Sequence, residues 1–221
     1  MKMKFNKKIR LITGVTALGG AVIVAAYLTN TPPFKESAVI KSSEVCDSLG
    51  GGDKITAALQ ETLPDASKYE FQDSDQVRAD TQDNDFLSSC FIRADGKTAL
   101  ATVTEMVRWN PPKLWSNRTV SNNSDIGARE FDSFNAGEKS ISSYRFAAIY
   151  VPCVPDGILI GGTYNLSVEV RATQHSSASK SVTKRSLAEI ALSAARRAHK
   201  QAQCDLPSKL PAETIKFSPS S

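Results

Sequence analysis

Hydrophobic and polar positions alternate with three different periods along this chain. Residues Leu11 to Leu28 form an uncharged apolar run that Pro32 and Pro33 close. At about 1.5 Å per residue it reaches roughly 27 Å, the thickness of a bilayer core. Helical spacing follows twice. Ile55, Ala58, Leu59 and Leu63 recur on one face, with Asp53 placed to cap the start and Pro64 to end it. Leu187, Ile190, Ala191, Ala194 and Ala198 mark a longer helix, for which Ser186 and Glu189 have capping-box spacing. A shorter helix around Val45, Cys46 and Leu49 is expected between a Ser42 or Ser43 cap and a stop at Gly50 to Gly52.

Between these helices the period drops to two. Phe86, Cys90 and Ile92 share one face of a strand over residues 86 to 94, and Asp95-Gly96 is a type I′ hairpin dipeptide leading into a partner strand from Lys97 to Val107. Residues 144 to 151 have two largely apolar faces, which predicts a central strand. Tyr164, Leu166, Val168 and Val170 alternate with Asn165, Ser167, Glu169 and Arg171, which predicts one buried and one wet face. The fold class is therefore α+β: a mainly antiparallel sheet flanked by N- and C-terminal helices, preceded by a single N-terminal apolar helix. The expected divisions are 1-30 as signal anchor or signal peptide, 31-42 as stalk, 43-205 as one extracytoplasmic domain, and 206-221 as a flexible tail, because its prolines and scarce apolar residues give it little to pack.

Charge decides topology. The chain holds 27 basic and 23 acidic residues, and five of the basic ones (Lys2, Lys4, Lys7, Lys8, Arg10) precede the apolar run. By the positive-inside rule residues 1 to 10 stay cytoplasmic and the rest faces outward. Without those five, 22 basic residues face 23 acidic ones, so net charge gives no basis for a nucleic-acid partner. Val24, Ala25 and Ala26 would suit cleavage before Tyr27 and secretion. The length of the run favours retention as a single-pass membrane anchor through residues 11-28.

Outside the membrane, cysteines pair. Four of them allow three connectivities, and Cys46 with Cys90 plus Cys153 with Cys204 is favoured because each bond then staples a terminal helix to the sheet. No two are close enough in sequence for a C-x-x-C redox or metal motif, and no metal or cofactor is expected.

Candidate chemistry is sparse. His175 lies in a Ser-rich loop and His199 among charges on the last helix, and both read as solvated. Asp73, Asp75, Asp80, Asp83 and Asp85 read as an acidic loop that lacks the glycine and glutamate of a calcium-binding loop. Trp109 and Trp115 bracket Pro111-Pro112 in an expected loop and are the candidate binding residues, with core packing as the competing role. The Cys46-Asp47-Ser48-Leu49 opening after a stalk, with Cys90 on a following strand, resembles actinobacterial exported cell-envelope proteins of unknown function, many of them lipoproteins, although the lipobox is absent. That resemblance implies an exported α+β domain and no particular activity. The expectation is a disulfide-stabilised binding or accessory module with an envelope-protein or cell-wall partner. The alternative is an extracellular hydrolase with a serine or carboxylate active site.

Overall fold

The computed structural model describes residues 37–77, 86–108, 110–154, 164–212 and 214–218. The expected signal or anchor, the first half of the stalk, Trp109, Asp80, Asp83 and Asp85 lie outside the described residues. Among the described residues no helix is long and apolar enough to cross a membrane. Among the described residues three α-helices, α1 (Asp53–Thr62), α2 (Pro112–Asn122) and α3 (Lys180–Gln201), accompany eight strands. These are β1 (Tyr69–Val77), β2 (Phe86–Ala94), β3 (Lys97–Arg108), β4 (Asp132–Phe134), β5 (Lys139–Ser142), β6 (Phe146–Cys153), β7 (Tyr164–Ala172) and β8 (Phe217–Ser218). They form one sheet in the order β1-β2-β3-β7-β6-β5-β4-β8, and every pairing is antiparallel.

The hairpin dipeptide behaves as its chemistry requires. Asp95 and Gly96 both have positive φ, at 48° and 78°, which closes β2 onto β3 with the twist a two-residue turn needs. Strand β6 is buried at all eight positions, which follows from its place between β5 and β7 with helices on both faces. Its two faces belong to different cores. Ala147, Ile149, Val151 and Cys153 join the main core with α1 and α3, while Phe146, Ala148 and Tyr150 join a smaller one with Trp115, Ile126, Phe131 and Ile141.

Helix α3 begins seven residues before the expected capping box. Ser179 is its N-cap, extended at φ −65° and ψ 152°, with its side chain accepting from Val182 N. Ser186 sits inside the helix instead and donates to Glu61 Oε2 at 2.5 Å. Thr183 and Ser186 are buried polar positions at the front of the helix, so the apolar period starts late although the helix does not. The segment at 42–49 forms two 3-10 turns, Ser42–Glu44 and Asp47–Leu49, and still buries Val45, Cys46 and Leu49. Gly50 to Gly52 all take positive φ there.

Two boundaries move. Ala38 N donates to Ala66 O at 2.8 Å and Ile40 is buried, so packing begins in what reads as stalk. The segment from 206 onward is docked as far as Ser218. Arg196 donates to the carbonyls of Pro211 and Ala212, Lys209 pairs with Glu138 at 2.5 Å, Ile215 is buried, and β8 adds to β4. Backbone hydrogen bonds supply the hold that the sparse apolar side chains do not.

Candidate functional site

The cysteines join as Cys46–Cys90 and Cys153–Cys204, and no cysteine is free. The first bond ties the turns ahead of α1 to β2. The second ties the end of β6 to the residues just after α3. All four are structural.

Trp115 is a core residue, which corrects the expected exposed binding edge. Pro112 occupies the first turn of α2, where a missing N–H breaks no bond, so Pro-Pro starts a helix instead of extending a loop. The Trp115 indole is buried, stacks on Tyr150 at 5.0 Å between centroids, and donates from Nε1 to Ser167 Oγ at 3.0 Å. The Tyr150 hydroxyl in turn accepts from Asn110 N and donates to Asn110 O, and burial raises its pKa. This network fastens α2 to the sheet.

The two histidines do not assemble a catalytic group. His175 is exposed and stacks on Tyr144, over which the Lys180 ammonium also lies at 4.2 Å from the centroid. They border a cavity of about 260 Å³ that also holds Ser176 and Thr183. Ser176 Oγ is 3.3 Å from Thr183 Oγ1 and accepts from Ala178 N, so the hydroxyl engages its own turn and not the imidazole. No carboxylate lines the cavity to orient a base. His199 Nε2 bonds Leu206 O at 2.9 Å and helps hold the docked segment. Asp73 accepts from Ser48 N and Oγ, and Asp75 from Ser88 Oγ and Gln201 Nε2, so both are built into β1. Among the described residues no group of three potential metal ligands occurs.

The open surface lies beside α2. This helix lies over β5 and β6 and reaches β7 through Trp115 at Ser167 and Asn123, whose Oδ1 accepts from Arg171 Nη1. Asp125 reinforces that end through Arg171, at 2.7 Å, and Arg145, and the guanidinium beside it holds its carboxyl below the usual range. Glu169 stands between the two anchors, on the same face of β7. Beyond β7 that face is more open: Val107 of β3 still packs against the Trp115 cluster, Ala101 and Val103 are half-buried, Glu105 is exposed, and β2 presents Leu87, Ser89 and Phe91. Leu87 and Phe91 are each 37% exposed.

No match stands behind this site. Comparison with protein-family models, with curated proteins and with solved structures finds no match to this chain. The arrangement is therefore read from its own chemistry. Burial and the neighbouring Glu105 raise the Glu169 pKa, opposed by Arg171. Neither glutamate has a hydrogen-bond or ion-pair partner among the described residues. The alternation of β7 pointed to a wet face and led away from this site. Asn165 and Ser167 on that face are buried, and only Glu169 and Arg171 are partly open.

Proposed function

We propose that this is an extracytoplasmic binding or accessory module of the cell envelope, membrane-anchored or secreted, which meets its partner through the bare β1–β3 part of the sheet beside α2. The observation that carries the reading is an asymmetry: one part of the sheet is covered on both faces, and the other leaves Leu87 and Phe91 exposed on the face of β2 opposite the main core. A surface with apolar side chains rimmed by polar ones marks an interaction site more often than idle surface. The basic flank and apolar run at residues 1 to 28, the two disulfides and the resemblance to actinobacterial envelope proteins support the location. An N-terminal apolar helix held in the membrane belongs to the same proposal.

Two experiments test it together. Fractionation of intact cells with surface proteolysis should place the domain outside the cytoplasmic membrane. A photo-crosslinking residue at Phe91 should form a discrete adduct in those cells, and one at Val182, exposed on α3, should not. Recovery of the chain in the cytosol, or equal adducts from both positions, would overturn the reading.

A further inference from the structure

We propose that the cavity between the β5–β6 turn and the loop leading into α3 binds a small organic anion that carries a flat ring. The site is separate from the β1–β3 surface and does not rest on the proposed function. Its walls are held by their own bonds. Ser143 N donates to Phe146 O at 2.7 Å and closes the turn that carries Tyr144. In the loop, Thr173 Oγ1 donates to Thr98 O, and Gln174 Nε2 donates to Lys97 O and Thr98 O. Walls set before a ligand arrives lose little freedom when it binds.

Donors and acceptors are out of balance in this cavity. Thr183 Oγ1 donates to Ser179 O, so the 3.3 Å contact between it and Ser176 Oγ takes its proton from Ser176. Both hydroxyl protons are thereby spent within the loop. Lys180 Nζ and the His175 ring have no hydrogen bond or ion pair among the described residues, and no carboxylate lines the cavity. An ammonium has three donors and no acceptor, and an imidazole offers an N–H in either charge state. What completes these two groups accepts hydrogen bonds, and an anion does so most strongly.

The aromatic wall sets the second requirement. Tyr144 and His175 lie nearly parallel, at 13° and 6.5 Å between centroids, and the Lys180 ammonium stands over the Tyr144 face at 4.2 Å. A cation on an exposed ring is weakly held. Turning Lys180 toward a carboxylate or phosphate uncovers the Tyr144 face for a flat apolar part of the same ligand. The volume, about 260 Å³, equals that of about nine water molecules, which is room for a single ring with its anionic group.

The test uses the full-length chain in non-ionic detergent and para-fluorobenzoate, read by fluorine NMR, with phenyl phosphate, acetate and benzylamine as competitors. Fluorobenzoate should bind with a Kd of about 1 mM or below, and phenyl phosphate should displace it. The tighter of these two identifies the anionic group. Acetate, which lacks the ring, and benzylamine, which reverses the charge, should each need at least about tenfold more. Lys180→Gln should weaken fluorobenzoate binding about tenfold, and Tyr144→Ala should weaken it as well. Lys200→Gln, which removes an exposed cation near the other end of α3, should leave it unchanged. The Lys180 side chain is exposed, so an unchanged melting temperature for Lys180→Gln separates lost binding from lost fold. No binding at about 10 mM, binding that survives Lys180→Gln, or competition by acetate or benzylamine equal to that by phenyl phosphate overturns the inference. None of these results alters what a Phe91 adduct in cells says of the proposed function.

Discussion

The two halves of the sheet are built on different terms. Strands β5 and β6 lie between helices, and β6 presents no exposed residue on either face. Strands β1, β2 and β3 have the main core on one side only, and β2 alternates buried with exposed or partly exposed positions along its length. An antiparallel sheet tolerates both arrangements, because its ladder satisfies the backbone without help from either face. The difference separates strands buried on both faces from strands that keep side chains in water. The singly covered half keeps the Glu105 carboxylate and the apolar side chains of Leu87 and Phe91 in water.

The sharpest way to break this comparison is Trp115→Ala. It removes a buried indole, its stacking on Tyr150 and its bond to Ser167, and should cost about 3 to 5 kcal/mol in denaturant unfolding. A small effect would mean that α2 is not what closes the second face. Next come the disulfides. They span 44 and 51 residues, and loops of that size differ little in closure entropy, so C46A/C90A and C153A/C204A should each cost about 4 kcal/mol. Hydrogen exchange should then distinguish the halves. Losing Cys46–Cys90 should deprotect β1 and β2 first, and losing Cys153–Cys204 should free the segment after α3.

The smallest effect is the most diagnostic. Burial and Glu105 raise the Glu169 pKa, so folding favours its protonated form. The contribution of this group is therefore fully favourable below the ordinary glutamate value of 4.5 and is lost as pH rises through the folded value. Glu169→Gln should accordingly raise the melting temperature at neutral pH and make no difference below about pH 4. An unchanged melting temperature across that range would show a solvated carboxylate and weaken the contrast between the halves.

Much of the fold was legible in advance, in both parts of the sheet. The apolar faces of β6, the stripe of α3 and the Asp95-Gly96 turn follow from periods and dihedral chemistry that local sequence carries. The elements missed are held by partners distant in sequence. Strand β1 points Asp73 and Asp75 toward the core, which hides its period until Ser48 and Ser88 are seen to bond them. Helix α2 opens on two prolines and has few apolar residues, and its place depends on one indole finding Ser167 and Tyr150. The candidate site was harder still. Glu105 and Glu169 lie 64 positions apart, and only the β3–β7 register makes them neighbours.

The segment after Cys204 has a consequence for how this molecule behaves in a crowd of its own kind. By laying β8 against β4 it replaces what would be a bare strand edge with a stretch of two residues, preceded by Lys216 and with Lys184 and Arg185 over the Phe217 ring. Short, charged edges are poor templates for another chain to extend. What looks in sequence like a disposable end therefore works as a guard against polymerisation, acting between molecules as well as within one.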